Sequence, residues 1–175
     1  MTLEEAGPSD LPAIERLVEG AYRGDSARAG WSHEADLVGG RRTDADELAG
    51  MLANPRQHLL LFRHGDALRA CVALTDKGDG LAYLGMLTVD PASQASGLGR
   101  KVLAAAEAFA RDRLGGTRME MQVIAQRSEL IAWYERRGYA RTGETRPFPY
   151  DEQRYTPKRD DLAFVVLAKG LQPLT

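Results

Sequence analysis

Within residues 84–101, Gln94, Gly97 and Gly99 fall at the spacing Gln-x-x-Gly-x-Gly, just ahead of Val102 and Leu103. Glycines there let the backbone bend and leave its N–H groups bare. A helix beginning at this point adds unpaired donors and partial positive charge, and together these make a site for an anion, above all phosphate. Arg100 and Lys101 follow at once and could meet the same charge. Two other phosphate motifs are excluded. The glycine pair does not continue to a third glycine at position 102, as a dinucleotide-binding turn requires, and Gly99-Arg-Lys lacks the Gly-Lys-Ser/Thr of a nucleoside-triphosphate loop. His33, His58 and His64 have no metal-ligand spacing with Cys or carboxylate partners. Cys71 lies in an apolar run and reads as a small core residue, not a nucleophile.

The turn needs a strand before it and a helix after it. Leu84, Met86, Leu87 and Val89 build the strand, which Asp90-Pro91 stops. Val102, Leu103, Ala106, Phe109, Ala110 and Leu114 mark one face of a long helix ended by Gly115-Gly116. Residues 118–124 alternate, with Met119, Met121 and Val123 on one face and Glu120 and Gln122 on the other, which predicts a parallel strand after a right-handed crossover. Upstream, residues 2–6 predict a short strand and residues 10–22 an amphipathic helix. Thr43-Asp-Ala-Asp46 matches a capping box that opens a second short helix ending at Asn54-Pro55. Residues 58–63 and 67–75 flank His64-Gly-Asp66 as a hairpin, and with residues 81–90 they complete an antiparallel meander. A second crossover helix is expected over residues 128–137, followed by strands over 139–145 and 161–168. Two long connections remain, residues 23–42 and 146–160, with any helix in the first one short and near Glu34–Val38. Connections of this length in a compact domain are commonly functional.

Length and composition narrow the class. The 175 residues suit one α/β domain, expected over residues 1–172, that buries a core without staples. A net charge of −2 gives no electrostatic footprint for nucleic acid. Apolar runs are too short for a membrane span, and the N-terminus lacks a basic-then-apolar signal pattern. A single cysteine excludes an internal disulfide, and the expected location is the cytoplasm.

The glycine turn resembles the pyrophosphate-binding motif of the GCN5-related N-acetyltransferases, the GNAT superfamily. The element order β-α-α-β-β-β-α-β-α-β-β is similar to the GNAT fold over nearly the whole chain. That fold is a central mixed sheet with an N-terminal antiparallel meander, two crossover helices and a splay that admits acyl-CoA. Trp133-Tyr134-Glu135-Arg136-Arg137-Gly138-Tyr139 resembles the superfamily's aromatic-Tyr-x-x-x-Gly-aromatic signature. Two positions depart from the pattern. Arg127 stands where many members have an asparagine contacting the pantetheine, and Leu130 stands at the common alanine. A guanidinium at Arg127 could donate to a pantetheine carbonyl or a phosphate.

The resemblance implies acetyl-CoA as acyl donor and a primary amine, a small metabolite, as acceptor. Met86, Leu87, Thr88 and Val89 would offer backbone groups to the pantetheine arm, and the N–H groups of Gln94, Ala95, Ser96, Gly97, Leu98 and Gly99 would hold the pyrophosphate. Tyr134 is then the expected general acid toward the departing sulfur. Glu34 and His33 lead as candidates for the base, with Glu120 or a water chain behind them. Trp31, Tyr150 and Tyr155 are expected walls of the acceptor pocket, with Glu34 or Asp151 attracting an ammonium. No metal is expected, and a homodimer follows only from the family's habit. A non-catalytic acyl-CoA sensor of the same fold and a protein or peptide N-acetyltransferase are the alternative readings.

Overall fold

In chain order, the elements are β1 (Thr2–Glu5), α1 (Leu11–Tyr22), β2 (Val38–Gly40), α2 (Ala45–Ala53), β3 (Gln57–His64), β4 (Ala67–Gly78), β5 (Leu81–Val89), α3 (Leu98–Leu114), β6 (Arg118–Ile124), α4 (Ser128–Glu135), β7 (Ala140–Pro147), β8 (Tyr155–Pro157) and β9 (Ala163–Gly170). The computed structural model describes residues 2–22, 38–40, 42–150 and 155–172. Seven strands form one mixed sheet in the order β1-β3-β4-β5-β6-β9-β7. β3, β4 and β5 form the expected antiparallel meander, and β5-α3-β6 the expected parallel crossover. The last strand, β9, inserts between β6 and β7 and is antiparallel to both.

Strand alternation divides the core into two layers. Leu60, Val72, Leu74, Ala82, Leu84 and Met121 turn toward the apolar stripe of α3. Leu59, Leu61, Cys71 and Ala73 turn the other way, against Ile14 and Val18 of α1 and Leu48 of α2. The cap of α2 sits one residue later than the sequence motif suggests. Asp44, not Thr43, accepts from the Glu47 N–H at 2.8 Å, a bond worth about 1 kcal/mol to the helix. Thr43 instead donates from its backbone N–H to Glu19 at 2.8 Å, tying this entry to α1.

Between β2 and β8 runs a short antiparallel ladder in which Val38 faces Pro157 and Gly40 faces Tyr155. It joins the two long connections that the sequence presented as separate loops. Val38, placed by sequence at the end of a short helix, is in a strand. Gly39 and Gly40 carry no side chain and so gave no alternation to read.

Cys71 is fully buried among the α1-facing residues, and burial pushes its thiol up to about 12 from 9.0. The folded state therefore holds this proton more tightly than the unfolded chain does. The resulting stability is fully present below the unfolded value and is lost as pH rises toward the folded one. Chemical denaturation of the wild type and of Cys71→Ala should show the wild-type advantage shrinking from about pH 8 to about pH 11. A difference that does not change with pH would contradict the burial argument.

Candidate active site

The parallel pairing of β5 with β6 is short. Leu81, Ala82 and Tyr83 face Arg118, Met119 and Glu120, and beyond Tyr83 the two strands part. The closed end is pinned at Gly80, whose carbonyl accepts from the N–H groups of Thr117 at 2.7 Å and Arg118 at 3.1 Å. The opening has a local cause in β5. Between Ala73↔Gly85 and Cys71↔Thr88 the register shifts by one extra residue on β5, and Met86 takes a left-handed conformation with φ 55°. A bulge of this kind bends its strand and increases local twist. A non-glycine residue held at positive φ costs about 1–2 kcal/mol. Leu84 and Leu87 consequently face α3, while Met86 joins the layer under α1 and α2.

A cavity of ≈ 140 Å³ fills the splay. Leu87, Met121, Val123, Leu130 and Tyr134 line it on the α3-facing side, and Tyr83, Gly85, Gln122, Phe148 and Phe164 on the other, with Arg42 and Arg127 also in its lining. The alternation of β6 explains the division, since Met121 and Val123 belong to the α3-facing core whereas Ile124 packs with Phe148 and Phe164. The slot therefore passes through the sheet.

Tyr134 sits on α4, one of that helix's buried residues, and only 5% exposed. Its ring is held edge-on between Trp133, with centroids 5.1 Å apart, and Tyr139, at 5.8 Å. Its carbonyl accepts from the N–H of Arg137 at 2.9 Å and of Tyr139 at 3.2 Å. Tyr139 has a different task. Its hydroxyl donates to Glu107 at 3.1 Å, and Lys169 clamps both Glu107 oxygens at 2.9 and 3.0 Å. Burial, with Glu107 adding to it, pushes the Tyr139 phenol far above the ordinary tyrosine range. Of these two tyrosines, Tyr134 lines the cavity.

At the far end of β5, Asp90 closes the strand. Its side chain accepts from the Ala92 N–H at 3.1 Å and pairs with Arg69 at 3.0 Å. The 3-10 turn Pro91–Ser96, which carries Gln94, Ala95 and Ser96, leads into Gly97. Gly97 has φ 77° and ψ 12°, a left-handed conformation that glycine adopts without strain, and caps α3 without a side-chain bond. The first turn of α3 contains no acidic residue. It carries Arg100 and Lys101 instead, both exposed, against the preference of a helix N-terminus for negative charge. The Arg100 guanidinium folds back over the turn, its Nη2 lying 3.7 Å from where a Cβ on Gly97 would stand. Positive charge on a positive helix end suits a site that receives an anion from outside.

Leu87, Thr88 and Val89 are buried. The Thr88 hydroxyl donates to the Met86 carbonyl at 2.8 Å, so this segment can offer a ligand its backbone rather than its side chains. Arg127 stands at the N-cap of α4, 9% exposed, with its side chain on the cavity. Leu98 and Gly99 are buried in the first turn of α3. Tyr150 donates no wall to the cavity. Its hydroxyl accepts from the Leu162 N–H at 2.7 Å, and its ring meets Phe148 edge-on at 5.0 Å, so it backs the aromatic residue that does line the slot. Trp31, His33, Glu34 and Asp151 lie outside the described residues. Glu120 is 12% exposed and accepts from Arg146 at 2.7 Å. That guanidinium also reaches Glu144 at 2.9 Å and Gln122 at 3.4 Å. Tyr83, whose phenol burial pushes up against the opposing fields of Arg146 and Arg42, completes this polar group.

The sequence does not single out Arg42, Tyr83, Gln122, Phe148 or Phe164 for the site. The signals it carries are the place of Arg42 and Phe148 in the two long connections and the outward parity of Gln122 on β6. Among the described residues, no group of His, Cys, Asp and Glu is placed to hold a metal, and no helix is long and apolar enough to cross a membrane.

The model of the acetyltransferase (GNAT) family matches residues 19–139, more than half of the chain. No curated protein sequence matches it significantly. Among solved structures, the ribosomal-protein-S18-alanine N-acetyltransferase of Escherichia coli superimposes with a TM-score of 0.71 at 18% identity, over 99% of this chain and 96% of that one. YncA, a putative acetyltransferase from Salmonella typhimurium solved with its cofactor acetyl-CoA, gives 0.68 at 22% identity, over 100% and 96%. The spermidine N-acetyltransferase of Vibrio cholerae, in complex with CoA and spermine, gives 0.70 at 15%, over 97% and 95%. At these identities the likeness is one of fold.

Proposed function

The chain belongs to the acetyltransferase (GNAT) family, and on that premise we propose that it moves the acetyl group of acetyl-CoA, the family's acyl donor, to the primary amine of a small metabolite. The observation that carries this reading is the through-sheet cavity with Tyr134 on its wall. The pantetheine arm would run along the backbone of Leu87, Thr88 and Val89, where β5 has left β6. The pyrophosphate would rest on the N–H groups from Gln94 to Gly99, with Arg100 and Lys101 beside it. Arg127, which lines the same cavity as Tyr134, would donate to a pantetheine carbonyl. The likeness to a spermidine N-acetyltransferase solved with CoA and spermine supports a small amine as acceptor.

The chemistry is direct attack. The amine nitrogen bonds to the thioester carbonyl carbon, the backbone N–H of Leu87 polarises the carbonyl oxygen, and the C–S bond breaks. The Tyr134 hydroxyl gives its proton to the leaving sulfur, which departs as the thiol of CoA, and the phenolate takes back the proton that the newly acylated nitrogen sheds. The ammonium of the acceptor must first lose a proton. His33 and Glu34, from the first long connection, remain the proposed receivers. Glu120 is engaged with Arg146 and is not on the cavity wall. Glu120→Gln should therefore keep kcat/KM within about threefold of wild type, whereas loss of a general base costs roughly 10²-fold or more.

The test is free-thiol release from acetyl-CoA across a panel of primary amines, with the N-acetyl product identified by mass spectrometry. Acceptor-dependent release supports the reading. Tight CoA binding with no amine-dependent release overturns it in favour of an acyl-CoA sensor.

A further inference from the structure

A group of cations outside the cavity has no part in the chemistry above. α3 and α4 share one core layer, built from Val102, Leu103 and Ala106 on the first and Leu130, Ile131 and Tyr134 on the second. Arg136 is the C-cap of α4, and Arg137 follows it. The Arg137 N–H donates to the Tyr134 carbonyl at 2.9 Å, so the turn that carries the proposed acid also carries this arginine. Its guanidinium lies over the Trp133 ring at 4.2 Å, and Nη1 donates to the Trp133 carbonyl at 3.0 Å. Stack and bond together fix the plane of the group. The edge that remains, Nε with Nη2, is a paired-donor edge of the kind that meets two oxygens of a phosphate. Its Nε is buried and has no hydrogen-bond partner.

The charges around that edge have one sign. Burial pulls the Arg137 guanidinium below its ordinary range, and repulsion from Arg136 and Arg100 adds to the effect. Arg100 comes from the first turn of α3, where its Nη2 overlies Gly97, so the two helices bring their guanidinia together beside the glycine turn. Glu107, two turns further along α3, is bound by Lys169 at 2.9 and 3.0 Å and by Tyr139 at 3.1 Å, and its charge is matched there. Like charges held within each other's field are unfavourable until an anion comes between them. CoA offers separate anions, the pyrophosphate and the phosphate on its ribose. The glycine turn serves the first, which leaves the second for a guanidinium that neighbours Arg100.

We propose that Arg137, braced by Trp133 and with Arg100 and Arg136 beside it, holds the ribose phosphate of CoA and so distinguishes CoA from dephospho-CoA. This rests on the acetyltransferase reading above and assigns a recognition residue to the cofactor side of the same site. A phosphate dianion at the Nε–Nη2 edge relieves the repulsion among the guanidinia and gives the buried Nε an acceptor. Lysine is no substitute here. Its ammonium is a point charge without the paired edge, and it does not lie flat on an indole.

The experiment is calorimetric titration of the wild type, Arg137→Gln and Arg137→Lys with CoA and with dephospho-CoA. The wild type should bind CoA about tenfold or more tightly than dephospho-CoA. In Arg137→Gln that preference should fall to within about twofold through weaker binding of CoA, while the affinity for dephospho-CoA stays within about twofold of wild type. Arg137→Lys should keep a preference of about threefold, from its charge alone. Retained binding of dephospho-CoA also shows that each variant is folded and that the pyrophosphate turn is intact. A wild type that binds the two ligands equally overturns the proposal and leaves the acetyltransferase reading standing. Arg137→Gln overturns it too if it keeps the full preference, or if it loses both ligands in parallel, which would make Arg137 a pyrophosphate contact or a brace for α4. If the wild type binds neither ligand, the acetyltransferase reading fails and takes this proposal with it.

Discussion

Tyr134→Phe should lower kcat by roughly 10²-fold or more and leave the affinity for CoA nearly unchanged, the pattern expected when a general acid is removed and its ring kept. The geometry favours so clean a separation. The ring is fixed by Trp133 on one side and Tyr139 on the other, and both contacts are made by aromatic carbons that phenylalanine reproduces. Two backbone bonds to its carbonyl are independent of the side chain. Fold, cavity shape and cofactor site should all survive, so the rate reports on the hydroxyl alone. Steady-state kinetics paired with calorimetric CoA titration makes the measurement. Unaltered turnover would remove Tyr134 from the acid role, and a matching loss of CoA affinity would make it a binding residue instead.

Gly97→Val should abolish measurable CoA binding, with a loss of about 10²-fold or more in affinity, without unfolding the protein. The side chain itself has room, since a Cβ there meets nothing closer than the flexible tip of Arg100 at 3.7 Å. The backbone is the obstacle. At φ 77° an L-residue is strained by about 1–2 kcal/mol, and a β-branched one by more. That is well below the typical 5–15 kcal/mol stability of a domain. The valine either shifts the turn or stands over the first N–H groups of α3, and both remove the cradle for a phosphate. Thermal melting should fall by several degrees, while calorimetry with CoA shows no heat of binding. Normal affinity would contradict the phosphate-turn assignment.

The two residues behind these predictions illustrate what the sequence could reveal. Gly97 and Tyr134 both sit in local motifs, where spacing along the chain alone carries the signal. The same holds for α1, α3 and the meander strands, whose apolar periods reflect burial on one face. The opening of the sheet was less accessible. It depends on a bulge at Met86, a residue whose type gives no hint of a left-handed backbone. The other wall of the cavity was hidden for a different reason. Gln122 and Glu120 read as outward positions on β6, but what they meet is Arg146 on β7, which reaches them across the intervening β9. Arg42 and Phe148 belong to connections that give no periodic signal, and the β2–β8 ladder that joins those connections pairs residues far apart in the chain. Non-local pairing of this kind is what a single sequence does not encode in any one window.

The most direct test is the crystal structure of the protein bound to CoA. The pyrophosphate is expected on the backbone N–H groups around Gly97 and Gly99, the pantetheine arm along the edge of β5 beyond Tyr83, and the sulfur within about 3–4 Å of the Tyr134 hydroxyl. A CoA molecule that lies outside the splay, or whose sulfur ends away from Tyr134, would contradict this placement.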